Sequence, residues 1–299
     1  MNEGDENKDC LAKWIDKIIC GDAFEILLKI PDNSIDFIAT DLPYNLGKYG
    51  NDPRDLDNLP YEKYVQKINE FTAQAYRILK DGHYCCILTP QESSKIGAMA
   101  EALGRAGFNE NLQPIMVKEK QGYVHVLLTA CKGKPEIDVK AALGIDDGVW
   151  VLTKWHEHPL KYVHPCTWSP EIPEALIKIF TKECDLVLDP FNGICTTTDV
   201  AKRLKRHFIG IDLYDWNARA EEERKKAKAK IEQILSKTAN EKGDGSGSKE
   251  DETQKEKQEE IQIPDEWTTP EKVLEARLKG AEEFIKKRGW CKNGFVANY

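Results

Sequence analysis

The chain has 299 residues, of which 40% are hydrophobic and 31% charged, and its formal net charge is −8. That length suits one or two domains, since α/β folds often use about 250 residues as one unit, and the apolar share suffices for a real core. The acidic balance excludes a protein that coats nucleic acid non-specifically through overall charge, although a local basic face remains compatible with it.

In chain order, residues 1–10 (MNEGDENKDC) are polar and acidic and are no signal peptide. Residues 36–40 (DFIAT) read as a short buried strand. Tyr64, Ile68, Phe71, Ala75 and Ile78 recur at helical spacing, which predicts a helix over 61–79, ended by Asp81-Gly82. A second strand is expected at 84–89 (YCCILT), and a helix at 93–105 that stops near Gly107. Residues 112–117 and 124–130 read as an antiparallel pair. Residues 136–162 have no clear period. Helices are expected at 170–181, 197–205 and 217–235, with strands at 186–188 and 208–211. Residues 240–260 contain no aliphatic or aromatic side chain and cannot offset their ordering entropy, so they read as a disordered linker. Trp267, Leu274, Leu278, Phe284, Ile285 and Trp290 then suggest a small helical appendage that docks on something. No apolar stretch approaches a membrane span. Nine cysteines include no CxxC pair, and several lie in apolar runs, which points to a reducing cytoplasm with neither a zinc knuckle nor a disulfide frame.

Alternating strands and helices imply an open, mostly parallel sheet, in which ligands bind beyond the carboxyl ends of the strands. Two predicted strands end in an acid followed by proline chemistry: DFIAT runs into Asp41, and LVL into Asp189. If these strands are neighbours, the two acids share one crevice. Residues 186–212 (LVLDPFNGICTTTDVAKRLKRHFIGID) give strand, Asp189, a turn at Gly193, a helix starting at the threonines, and a second strand ending in Asp212. Gly193 lets backbone approach a ligand closely, and amides at a helix start can hold an anionic group. An acid at the end of the second strand suits a ribose diol. With one glycine in the loop and Cys195 at a later small position, a bulky pyrophosphate fits less well than a ligand with a ribose and a zwitterionic end.

DPFxG…TT…IGID together with D-x-P-Y resembles the amino-methyltransferases that use S-adenosylmethionine to methylate exocyclic amines of DNA bases. Because D-x-P-Y precedes DPF, the order is similar to the permuted beta group, over residues 18–235. The resemblance implies a Rossmann-like methyltransferase α/β fold with an antiparallel strand pair in its sheet and circularly permuted motif order. It assigns the methionine end of the cofactor to Asp189, Phe191 and Gly193, the ribose to Asp212, and the adenine to Asp22 of CGDAFEIL. His164, Pro165 and Thr167 of VHPCTWSP would line the methionine end. KGKP at 132–135 and Val149-Trp150 fit the family layout more loosely. Asp41, Leu42, Pro43 and Tyr44 would form the catalytic turn: side-chain and backbone acceptors around the amine, and a flat face for a flipped base. Leu42 replaces the usual proline, and Cys195 a common glycine or serine. An acid at 41 resembles adenine-N6 members more than cytosine-N4 members.

The implied layout is a catalytic domain over 1–238 with a small target-recognition insert at 136–163, a linker over 239–262 and the appendage over 263–299. The partner would be double-stranded DNA, with a homodimer or partner subunit engaged through the appendage. The reading is adenine-N6 methylation; cytosine-N4 methylation, an RNA amine and a non-catalytic subunit that binds nucleic acid or a partner are the other readings. WHEHP at 155–159 lacks the ligands of a metal site and reads as a solvated loop. Lys202, Arg203, Lys205 and Arg206 read as a solvated face more than a phosphate contact. Residues 49–58 read equally as a loop closing over the base or a plain surface loop.

Overall fold

The apolar run that ends at Asp41 becomes a central strand, and burial on both faces explains its apolar middle, Phe37 to Ala39. The computed structural model describes residues 11–47, 52, 54–108, 112–118, 124–152, 168–216, 222 and 225. The strands are β1 (Lys17–Cys20), β2 (Ile35–Asp41), β3 (Leu79–Pro90), β4 (Gln113–Lys118), β5 (Val124–Cys131), β6 (Val149–Val151), β7 (Leu186–Asp189) and β8 (His207–Asp212). Helices α1 (Ala23–Leu27), α2 (Tyr61–Ile78), α3 (Ser93–Ala106), α4 (Val139–Leu143), α5 (Glu171–Phe180) and α6 (Thr196–Arg203) connect them. All these elements belong to one compact unit, residues 1–157, 167–215 and 290–299. A second unit comprises 158–166 and 216–289, and only Trp216, Glu222 and Lys225 of it are described.

The strands form one sheet in the order β1-β8-β7-β2-β3-β5-β4-β6. Neighbours from β1 to β3 run parallel, β5 is antiparallel to both β3 and β4, and β6 is parallel to β4. The antiparallel pair expected from sequence is therefore β4 and β5. Helices cover both faces. One core cluster joins the sheet to α1, α2 and α3 through Ile26, Ile68, Phe71, Met99 and Leu103. The other joins it to α4, α5 and α6 through Val139, Ile172, Leu176, Phe180 and Val200. On α2 the residues predicted to face the core are the buried ones.

At its start β2 is fastened by Asp36, 8% exposed, which accepts from the Leu186 amide at 2.9 Å and pairs with Lys80 at 2.7 Å. The sequence reading ended α2 at Leu79 and credited Asp81-Gly82 with stopping it; the helix stops at Ile78 and β3 begins at once. Gly82 takes φ +80° inside β3, where the register slips between Ile35 and Phe37. The glycine thus marks an irregular strand start, not a helix end.

β1, α1 and β6 were not expected. Four- and three-residue strands and a five-residue helix are too short to show a period. The described part of 136–163 contributes α4 and the edge strand β6. Most of the predicted 217–235 helix, the linker over 239–262 and the appendage over 263–299 lie outside the described residues.

Candidate active site

The two strands ending in acids are neighbours. β2 and β7 run parallel with Ile38 opposite Leu188, so Asp189 and Asp41 emerge at the same edge of the sheet. The Thr40 hydroxyl donates to Asp189 Oδ1 at 2.7 Å across the seam. On the other side of β7, Asp189 stands opposite Gly210 of β8, whose chain runs on to Asp212. Asp212 in turn stands opposite Cys20 of β1, and its carbonyl accepts from the Gly21 amide at 2.8 Å. Asp22 follows directly, capping α1 by accepting from the Phe24 amide at 2.8 Å. Parallel pairing therefore gathers Asp22, Asp212, Asp189 and Asp41 along one edge, the carboxyl ends of the strands, where ligands of open α/β sheets bind.

The loop after β7 is shaped by its acids. The Phe191 amide donates to Asp189 Oδ1 at 3.1 Å, the Gly193 amide to Asp212 Oδ2 at 2.7 Å, and the Cys195 amide to the Asn192 carbonyl at 2.7 Å. The loop amides just before α6 are thus turned toward carboxylates and a carbonyl of the chain itself. Phe191 is half-buried, edge-on to Phe24 and Phe71. Gly193 has φ +48°. Cys195 caps α6 with φ +72°, a left-handed conformation that glycine adopts freely and other residues at a cost of about 1 kcal/mol. Its fully buried thiol meets the Asn192 side chain at 2.7 Å. Asn192 also accepts from Thr198 at 3.0 Å and packs so closely on Gly210 that a Cβ there would lie 2.7 Å from it.

The acids burden one another. Burial pushes the Asp189 carboxyl up to about 6, against the hydroxyls and amide that favour its charged form, with the Asp212 charge adding to the rise. Burial, then the charges of Asp189 and Asp212, hold Asp41 well above the usual carboxylate range. Such a crevice repels a phosphate and suits a cationic amine beside a diol. The carboxylates gathered at this edge therefore have acceptor chemistry suited to S-adenosylmethionine, which carries an ammonium and a ribose diol.

The turn after Asp41 is held from two helices. Leu42 is buried in the core at 2% exposure, which explains an apolar residue where proline is usual. Tyr64 of α2 donates to the Pro43 carbonyl at 2.9 Å, and Lys95 at the start of α3 donates to the Asn45 carbonyl at 3.2 Å. The Tyr44 ring lies 6.1 Å from that of His125 on β5, and burial lowers the His125 pKa. Tyr64, Lys95, Asn45 and His125 were not foreseen: each acts through a contact distant in sequence, and no local spacing marks it. Thr40 alone left a trace, as a polar residue inside an apolar strand.

His164, Pro165 and Thr167 lie outside the described residues, as does WHEHP. Arg203 pairs with Glu174 at 2.8 Å, Lys205 with Glu183 at 3.3 Å, and Arg206 donates to the Thr181 carbonyl at 2.6 Å, so most of the basic cluster serves α5 and α6. Among the described residues no group of three His, Cys, Asp or Glu could hold a metal, and no helix is long and apolar enough to cross a membrane.

Comparison with known proteins bears out the resemblance read from the motifs. Residues 133–223 match the N6/N4 family model described as DNA methylase. The type II methyltransferase M.BglII of Bacillus subtilis is 29% identical over 244 residues, 67% of this chain and 66% of that protein. The type II methyltransferase M.HpaI of Haemophilus parainfluenzae is 28% identical over 222 residues, 66% of this chain and 70% of that protein. The chain thus spans about two thirds of the length of these relatives. Among solved structures, the cytosine-N4-specific PvuII DNA methyltransferase aligns with a TM-score of 0.55 at 20% identity, covering 68% of this chain and 84% of that one. The fold is accordingly a Rossmann-like methyltransferase fold.

Proposed function

We propose that this chain, which is similar to the N6/N4 DNA methylases, transfers a methyl group from S-adenosylmethionine to the exocyclic N6 of a flipped-out adenine in DNA. The observation that supports the reading is the sheet edge at which parallel pairing brings Asp41 beside Asp189, with Asp212 on the next strand.

When bound, S-adenosylmethionine supplies an electrophilic methyl on a sulfonium. Asp189 takes the ammonium and Asp212 the ribose hydroxyls. Asp41 accepts one hydrogen of the target amine. A backbone carbonyl of the turn, held from behind by the bond from Tyr64 to the Pro43 carbonyl, would accept the second hydrogen. Two acceptors would pull the amine away from conjugation with the ring and free its lone pair for in-line attack on the methyl carbon; as the N–C bond forms, the C–S bond breaks to leave the neutral thioether, and the nitrogen's surplus proton passes to solvent. Tyr44 stacks on the extruded base. Rate comes from positioning and electrostatics, without a covalent enzyme intermediate. An acid at 41, not a serine, supports adenine over cytosine.

The test is methyl transfer from labelled S-adenosylmethionine to unmodified genomic DNA, followed by nucleoside mass analysis. The expected product is N6-methyladenine, and Asp41→Ala should lower its yield by about a hundredfold or more while cofactor binding persists. N4-methylcytosine would keep the mechanism and move the target. Intact cofactor binding without transfer to DNA or RNA would replace the reading with a non-catalytic subunit.

A further inference from the structure

The cofactor acid and the base-binding turn are joined by an unbroken line of hydrogen bonds. Asp212 Oδ1 accepts from the Tyr214 amide at 2.9 Å. The Tyr214 hydroxyl donates to Asp55 Oδ2 at 2.6 Å, across 159 positions of sequence. Asp55 Oδ1 accepts from the Asp57 amide at 2.9 Å and caps a short 3₁₀ turn, Leu56–Asn58. Asp57, 5% exposed, then accepts twice from the base turn: its Oδ1 from the Leu46 amide at 3.0 Å and its carbonyl from the Gly47 amide at 2.7 Å. Asn45 closes the frame, donating to the Leu59 carbonyl at 2.9 Å and accepting from the Leu59 amide at 2.8 Å. The Tyr214–Asp55 bond is the only link in this line made between two side chains far apart in sequence. It is therefore the link that one substitution can cut without touching either binding residue.

We propose that Tyr214 is a positioning residue that couples occupancy of the cofactor acid Asp212 to the geometry of the Asp41–Tyr44 turn. A ribose on Asp212 fixes the carboxylate that holds the Tyr214 backbone. The Tyr214 ring then carries that restraint to Asp55, and Asp57 hands it to Leu46 and Gly47. Base capture is thereby tied to the presence of the methyl donor. The inference rests on the proposed cofactor role of Asp212.

Amide hydrogen exchange on the full chain, with and without S-adenosylhomocysteine, tests it. Peptides covering 189–195 report cofactor binding, and peptides covering 42–47 report the turn. In the wild type the ligand should slow exchange in both, at Leu46 and Gly47 by about fivefold or more, the lower end of usual coupling between sites. Tyr214→Phe and Asp55→Ala should keep the protection at 189–195 and lose the ligand-dependent protection at 42–47. Asp55→Asn, which retains an acceptor oxygen, should restore it. A variant that merely loosens the loop would raise exchange equally with and without ligand, and that outcome overturns the proposal. Protection of 42–47 that survives in Tyr214→Phe overturns it too, as does a wild type protected at 189–195 alone. Absence of protection everywhere would remove the cofactor reading and the coupling together.

Discussion

Burial, with the charge of Asp212 adding to it, makes Asp41 and Asp189 resist ionising, and that fixes how the site answers to pH. Asp189 titrates at about 6 in the folded chain against an ordinary value of 3.8. Between those values the folded state holds more protons than the unfolded one, so stability is fullest below pH 3.8 and falls as pH rises. The fall amounts to about 3 kcal/mol once pH passes 6. Asp41, raised as well, acts in the same direction. Thermal melts from pH 4.5 to 7.5 should show wild type losing stability across this window and Asp189→Asn losing less of it. A cationic ligand inverts the sign for binding: affinity for S-adenosylmethionine should rise as pH climbs through 6, because only the charged carboxylate attracts its ammonium. Titrations at pH 5 and 7.5 would check that. At this scale the sequence was eloquent about the acids, since a carboxylate after an apolar strand is a local signal. It was silent about Tyr214 and Asp57, whose partners are set by tertiary folding.

The elements that carry these acids differ in how they were legible. β2, β7 and β8 declared themselves as apolar runs with an acid at the end, and α2 by its period. β1 was too brief to do so, although it supplies the pairing that sets Asp22 beside Asp212. The base turn owes its shape to helices behind it. Tyr64→Phe removes the donor to a turn carbonyl and should cost about 1 kcal/mol of stability. It should also lower kcat about tenfold through misplacement of the turn's backbone acceptor, while leaving cofactor KM near wild type. A kcat equal to wild type would separate Tyr64 from the turn's function. On the cofactor side, Gly210 is small because Asn192 fills the space where a Cβ would stand. Gly210→Ala should therefore displace the loop bearing Gly193, lowering stability by about 1–3 kcal/mol and weakening cofactor binding in the same preparation. Melting and titration together would show both losses.

For the molecule as a whole, net charge of −8 leaves no general attraction to DNA, so binding depends on local surfaces or on assembly. Deleting residues 263–299 is expected to weaken assembly or DNA binding and spare cofactor affinity, as sedimentation and calorimetry can show. Unchanged assembly and DNA binding would assign that segment no part in either. The strand order has a consequence for synthesis on the ribosome. β1 and β2 are both made within the first 41 residues, yet they are not partners; β8 and β7 lie between them and emerge only after residue 185. A nascent chain thus carries two buried-type strands about 14 Å apart in their final places with a vacant lane between them. Their unpaired edges are open to mispairing until the last strands arrive. Because that late βαβ unit brings Asp189 and Asp212, a truncated translation product would hold the proposed base turn without the acids proposed to bind the methyl donor.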